Sequence, residues 1–399
     1  MAVALLHKSK RSSDYYKWLE SLNEDLYLIS AYLHPEEQEH YTAAIHTDDY
    51  LSISTIDELL NIASHSPLRQ IITFAEEDII RVAELREKLQ ISGQGVESAV
   101  AYRDKVQMKT WMSRYDIPCA DFQALTTMTD VLQFKDAHGY PFIFKPIDGF
   151  GSMRTQIIRN DHDLHLLTEA YGQDDLSRYM LETFIEGDMH SSNGIAIQGK
   201  IRFCSINRYS TGGLHYQDSE PDHLVTMLAE DDPLYERILL FTQQVIDALP
   251  TPEVMVFHCE LFVRDEDLIF CEIASRPPGG YMCEGIWHAN SVDLKEAFVK
   301  LTCGIEYELT DRKQTNLTAI YYIQKREGKL LCQPNHFPFD WVKEHIILCQ
   351  SGQWYNKSAH SADFVATIVF TGTTTEELMD RYHIIKQYCT DHVLWETSS

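Results

Sequence analysis

Three short apolar runs open the chain, at residues 3–6, 26–31 and 70–75, and each is followed by a charged stretch with helical spacing. Alternation of that kind predicts a small parallel sheet with helices on its faces. Residues from Glu97 to Arg114 read as one helix, ended by Tyr115-Asp-Ile-Pro118 because a residue before proline is pushed out of the helical region. A domain boundary is expected near residue 120. Two further units follow: the strand Tyr140-Pro-Phe-Ile-Phe-Lys145-Pro146 with a glycine loop behind it, and the extended run Tyr179–Phe184 leading into Glu186-Gly-Asp188. Residues 195–206 alternate as strands around a Gly199-Lys200 turn, and Leu234–Leu249 is a helix set between proline-bearing turns. Towards the carboxy terminus Leu317–Ile323, Glu344–Leu348 and Val365–Thr371 read as strands, before a helix begun by Thr374-Thr-Glu-Glu377. No internal repeat or low-complexity tract is present.

The chemistry concentrates between His258 and Arg276. A turn centred on Glu266 makes this segment a hairpin in which Arg264 pairs with Leu268, Phe262 with Phe270, and Glu260 with Glu272. Directly opposed residues have Cβ atoms about 4.5–5.5 Å apart, and like charges so placed destabilise unless a cation lies between them. A divalent metal resolves that conflict, and carboxylate oxygens suit Mg²⁺ or Mn²⁺. Arg276 follows at the same strand parity, before Pro277-Pro278-Gly279-Gly280 stiffens and turns the chain. Two acids for a metal and one fixed guanidinium point to phosphate chemistry.

Upstream, Lys145 ends an apolar strand and is followed by Asp148-Gly-Phe-Gly-Ser152. Glycines at 149 and 151 allow positive φ and close backbone approach, so the loop N–H groups can cradle phosphate beside the Lys145 ammonium. The loop is not a Walker motif, and the third glycine of the dinucleotide fingerprint is missing.

With these residues in order, the chain resembles ATP-grasp enzymes, and among them the carboxylate-amine ligases that include the bacterial L-amino-acid (dipeptide) ligases. The resemblance rests on Arg103-Asp-Lys105, on Phe144-Lys145-Pro146 with Gly149-Phe-Gly-Ser152, on Leu181-Glu-Thr-Phe-Ile-Glu-Gly-Asp188, and on Glu260, Glu272 and Arg276. It implies an ATP-grasp fold of α/β class, α+β in the ATP-grasp part, with an amino-terminal mononucleotide-like parallel sheet. The domains expected are 1–120 before the ATP-grasp part, 121–315 as the ATP-grasp domain (a lid about 121–190, a larger catalytic part about 191–315), and 316–399 as a small α/β domain packing on it.

By resemblance, Lys105 and Lys145 hold the α- and β-phosphates of ATP, and the loop of Gly149, Gly151 and Ser152 closes over the β- and γ-phosphates. Glu182, Thr183, Phe184 and Ile185 correspond to the hinge that meets the adenine edge. Asp188 stands where the family usually has a Glu that binds the ribose hydroxyls. Glu260 and Glu272 hold Mg²⁺ or Mn²⁺, although Ala274 occupies the place of an Asn that is often a further ligand. Arg276 stabilises an acyl phosphate and the oxyanion formed from it.

Charge narrows the partners. The chain has 60 acidic against 34 basic residues, so nucleic acid or an anionic membrane surface would meet a repulsive field. No stretch approaches 18 apolar residues, and the start is too short an apolar run for a signal peptide; the expectation is a soluble, cytoplasmic protein. Nine cysteines without a C-x-x-C pair indicate neither zinc nor disulfides, and Cys259 and Cys271 are read as core thiols facing away from the acids.

The substrate side is less marked. Arg208 is a candidate for a carboxylate, Gly213 and Trp287 for the pocket wall, and Glu76 either attracts an ammonium or opens a helix, where acids are favoured. The expected activity is an ADP-forming ligation of an amino acid carboxylate to an amine, giving dipeptides from small amino acid substrates. Alternatives are acylation of a carrier protein or an antibiotic-type amine, a nucleotide-binding homologue without turnover, suggested by Ala274, and carboxylation. A homodimer is implied by the resemblance alone.

Overall fold

The computed structural model describes residues 1–211, 223–309, 314–358 and 363–396. Strands β1 (Ala2–His7), β2 (Asp25–Ser30), β3 (Ala43–His46) and β4 (Leu68–Thr73) form a parallel sheet in the order β3-β2-β1-β4. Every residue of β1 is buried, as a parallel strand covered on both faces requires. On one face Leu59, Ile62, Val82 and Leu85 of the helices Ile53–His65 and Asp78–Leu89 meet Ala4, Leu6 and Ile71. On the other, Val3, Leu5 and Ile72 pack with Val299 and Cys303, at the end of the helix Leu294–Thr302. The amino-terminal sheet therefore shares a core with a helix from far along the chain.

The stretch expected as one helix from Glu97 to Arg114 is two, Val96–Ala101 and Lys105–Arg114. The break is at Asp104, whose carboxylate accepts from the Val106 and Gln107 amides and caps the second helix. Met108 and Met112 then bury against Leu261, Phe270 and Ile273, which fixes the rotation of that helix on the sheet beneath it.

Strands β5 (Phe122–Ala124), β6 (Phe142–Pro146), β7 (Gln156–Ile158) and β8 (Tyr179–Thr183) form an antiparallel sheet in the order β5-β8-β6-β7. The helices Met128–His138 and Asp161–Tyr171 close it through Val131, Phe134, Leu164 and Leu167, packed on Phe142 and Phe144.

The remaining strands are β9 (Asp188–Ile197), β10 (Lys200–Tyr209), β11 (His223–Met227), β12 (Val254–Arg264), β13 (Asp267–Ala274) and β14 (Leu317–Gln324). After them come β15 (Gly328–Cys332), β16 (Val342–Ile347), β17 (Trp354–Tyr355), β18 (Phe364–Gly372) and β19 (Leu394–Glu396). Eight of these make one antiparallel sheet, β13-β12-β9-β10-β11-β14-β18-β16, and β17-β15-β19 make a small one. The segment 316–399 thus does not stand as a separate layer. Its strands β14, β18 and β16 extend the catalytic sheet, and one core runs from Ile195 and Val256 to Tyr382 and Cys389. Alternating apolar strands look alike in sequence, and only the pairing of β11 with β14 decides that they join. Among the described residues no helix is long and apolar enough to cross a membrane.

Candidate active site

The β12–β13 hairpin carries the two glutamates. Its turn is tighter than the sequence suggests: Asp265, at φ 52°, and Glu266 link Arg264 to Asp267, so Val263 pairs with Leu268 and Phe262 with Ile269. The expected pairs Arg264 with Leu268 and Phe262 with Phe270 are therefore not formed. Cys271 is left without a cross-strand partner, a β-bulge, and beyond it Glu260 does face Glu272. Cys271 borders the cavity rather than facing away, while Cys259 is fully buried in the core.

A cavity of about 500 Å³ lies between this hairpin and the β5–β8 sheet. Lys105 and Lys109, one helical turn apart, reach it from the helix Lys105–Arg114, and Lys145 reaches it from the end of β6. Glu182 on β8 lies between two of them, with Lys145 Nζ donating to its Oε1 at 2.5 Å and Lys109 Nζ 3.2 Å from its Oε2. All three side chains are at most 10% exposed. Burial alone would push the Glu182 carboxyl up, but Lys109 and Lys145 outweigh it and hold it below the usual carboxylate range. Burial likewise opposes the charge on Lys145, and Glu182 raises it above its ordinary value. Lys109 escaped notice in the sequence, although its spacing of four from Lys105 puts both on one helix face.

Lys105 Nζ donates to the Gly149 carbonyl at 2.6 Å and lies 3.3 Å from Glu272 Oε2. Burial pushes Glu272 up, yet Lys105 and then Lys145 bring its carboxyl down to about 2. Gly151, at φ 58°, has the left-handed backbone expected of it, and so does Ser152 at φ 57°. Gly149 does not; an added Cβ there would press on Pro146 at 3.3 Å, so it serves close approach instead.

Glu260 is contacted by His258 Nε2 at 3.3 Å, and His258 Nδ1 is held 2.6 Å from Asn193 Oδ1. Asn193 spends its amide hydrogens on Ser191 Oγ at 3.2 Å and Asn207 Oδ1 at 3.1 Å, so a buried polar chain runs beneath the acids. Two adjoining carboxylates on one cavity face fit Mg²⁺, which takes one or two protein carboxylates and completes its shell with phosphate oxygens and water. Ala274, directly opposite His258, adds no ligand, and no three His, Cys, Asp or Glu side chains form a closed metal cage among the described residues.

Arg276 borders the same cavity. Its guanidinium pairs with Glu76, which also lies 3.6 Å from Arg103. Glu76 neither opens the helix, which begins at Asp78, nor stands free for an ammonium: it is 8% exposed and bridges two guanidiniums. Burial pushes its carboxyl up, and Arg276 and Arg103 bring it below the usual range.

The structure thus gathers Lys105, Lys145, Gly149, Gly151 and Ser152 around one cavity with the run from Glu182 to Ile185 and with Glu260, Glu272 and Arg276. Three expected residues lie elsewhere. Asp188 pairs with Arg208 at 2.6 Å, both more than half exposed and off the cavity wall, where Glu186 and Gly187 stand instead. In this structure, then, both side chains point away from the cavity wall. Trp287 is 49% exposed on the outer side of the helix Met282–Asn290. Gly213 lies outside the described residues.

Comparison with known proteins agrees with this arrangement. Residues 110–283 match the family model of the ATP-grasp domain. The chain is 25% identical over 353 residues to an L-arginine-specific L-amino acid ligase of Bacillus subtilis, covering 85% of this chain and 84% of that one. A formate-dependent phosphoribosylglycinamide formyltransferase of Prochlorococcus marinus is 23% identical over 238 residues, 55% of this chain and 59% of its own. The fold superposes on an L-amino acid ligase from Bacillus licheniformis with a TM-score of 0.79 at 14% identity, over 100% of this chain and 99% of that one. Motif order, fold and family model converge: residues 110–283 match an ATP-grasp domain, and the chain is similar over most of its length to the L-amino acid ligases.

Proposed function

We propose that the protein couples ATP cleavage to joining the carboxylate of one amino acid to the amine of another, giving a dipeptide, ADP and phosphate. The observation that carries this reading is the convergence of three buried lysines and Arg276 on the cavity that Glu260 and Glu272 face. Charge neutralisation and positioning are what phosphoryl transfer asks of a protein. A carboxylate is a poor electrophile, so its oxygen first attacks the γ-phosphorus; the bond to the β,γ-bridging oxygen breaks and ADP departs. The amine then attacks the acyl phosphate carbon, loses a proton, and phosphate leaves from the tetrahedral intermediate.

In this scheme Lys105, Lys109 and Lys145 exchange their carboxylate partners for phosphate oxygens. The backbone of Gly149 to Ser152 covers the triphosphate, and Glu182 to Ile185 border the adenine. Glu260 and Glu272 are the residues that would hold Mg²⁺, whose role is to neutralise the phosphate oxygens. Arg276, exchanging Glu76 for the reacting group, steadies the oxyanion. We assign the nucleotide cover to 121–190 and the reacting groups to 191–315, with 316–399 walling the cavity.

The test is an all-against-all incubation of amino acids with ATP, recording ADP, AMP and product mass. ADP release stimulated by particular pairs, with a product of dipeptide mass, is expected. Stimulation by no pair, or AMP in place of ADP, overturns the assignment.

A further inference from the structure

The cavity has a second end that the phosphate chemistry does not use. Tyr209 of β10, His223 of β11, Met282 of the helix Met282–Asn290, Tyr322 of β14 and Phe364 of β18 meet there. Their polar atoms are largely committed to one another or to backbone. The Tyr322 hydroxyl donates to the Gly280 carbonyl at 2.5 Å, and the Tyr209 hydroxyl lies 3.3 Å from Ser191 Oγ and 3.8 Å from Met282 Sδ. The rings of Tyr322 and Phe364 are 4.4 Å apart, and His223 meets them edge-on at 5.4 Å and tilted at 5.7 Å. What remains toward the cavity is ring surface, a thioether and the His223 imidazole.

This end adjoins the reacting groups. Burial and then the charge of Glu260 push the Tyr209 phenol up, while Arg276 pulls the other way, so both charges stand close to that ring. Gly280, at φ 62°, has no space for a Cβ beneath Tyr322, which pins the loop after Arg276 against the aromatic wall. A substrate whose carboxylate meets Arg276 can thus lay its side chain against these five residues within the same cavity. Among the described residues this end offers no carboxylate or ammonium of its own beyond Glu260 and Arg276 at its rim. An acidic side chain entering it would lose water and find ring surface of the same negative sign as its own charge, whereas an apolar one gains from leaving water.

We propose that Tyr209, His223, Met282, Tyr322 and Phe364 form the side-chain pocket for the carboxyl-donating amino acid and select a bulky neutral side chain, aromatic, thioether or branched aliphatic, over an acidic one. This rests on the ligase reading above.

Hydroxylamine tests the pocket without knowledge of the second amino acid, because it captures the activated acyl group as a hydroxamate. Full-length protein with ATP and Mg²⁺ is incubated with each amino acid in turn, and hydroxamate and ADP are measured. Phenylalanine, methionine and leucine are expected to exceed aspartate and glutamate by at least about tenfold in kcat/KM, the range that pocket contacts confer. Phe364→Ala should raise KM for phenylalanine more than for alanine. The milder Phe364→Leu should shift the same ratio less and guards against a folding defect in the first variant. Aspartate or glutamate in the lead, or an unchanged phenylalanine-to-alanine ratio in folded variants, overturns the pocket alone. Hydroxamate from no amino acid overturns the ligase reading and the pocket with it.

Discussion

Replacing Glu182 by Gln removes the one carboxylate that two buried lysines share. Breaking a buried ion pair by deleting one partner costs about 3–5 kcal/mol, because the remaining charge stays out of water without compensation. Here two ammonium groups lose their partner, Lys109 at 1% and Lys145 at 8% side-chain exposure, so solvent screening offers little relief. Unfolding entropy of roughly 2.1 cal/mol/K per residue gives about 0.8 kcal/mol/K for a chain of 399 residues unfolding as one unit. The expected fall in melting temperature is therefore about 4–6 °C. The sign of the pH dependence follows from the depressed Glu182 carboxyl. Its contribution is complete above the unfolded-state value near 4.3, approximately the peptide value, and is lost as pH falls through the lower folded value. Wild type and Glu182→Gln should thus differ by a constant amount from pH 6 to 8 and converge below about pH 4. Saturating Mg·ATP should narrow the gap at neutral pH, since phosphate oxygens give the lysines new partners. Scanning calorimetry of both proteins, with and without nucleotide, makes the comparison. A variant melting within 1 °C of wild type, or a gap that nucleotide leaves unchanged, would refute the idea that Glu182 balances the phosphate-facing lysines.

Lys145→Ala and Lys109→Ala should each weaken ATP binding about 10- to 150-fold, the equivalent of one charge-assisted hydrogen bond, by titration calorimetry; an unaltered Kd removes that lysine from the phosphate site. Glu272→Gln should raise the Mg²⁺ concentration needed for half-maximal ADP formation by at least about tenfold, the effect of losing one hard oxygen ligand, and an unchanged metal titration counts against ligation. Arg276→Ala should abolish amide formation while ATP affinity stays within a few-fold, and loss of nucleotide binding instead would reassign Arg276 to a structural role beside Glu76. Asp188→Asn should leave ATP affinity within about twofold, as expected for an exposed ion pair off the cavity wall; a larger loss would return Asp188 to the ribose.

Local chemistry along the chain was enough to name most of the residues that the structure gathers around one cavity. Glu260 and Glu272 share a face because strand side chains alternate, and Lys145 with its glycine loop announces a phosphate-facing strand end whatever lies around it. The route to the glutamate pairing was nonetheless wrong. A two-residue turn shifts the register by one, and the bulge at Cys271 shifts it back.

The tertiary structure decided what involved distant partners. Whether Glu76 attracts a substrate or clamps Arg276 depends on a strand end and a hairpin end meeting 200 positions apart in sequence. Asp188 and Arg208 looked like ligand residues only because the sequence does not reveal that adjacent strands bring them to each other. The aromatic end of the cavity was invisible for the same reason: β14 and β18 reach it only by joining the catalytic sheet. Alternation fixes which way a side chain points from its own strand, whereas the neighbour it meets is chosen by sheet order, which depends on burial summed over the whole fold.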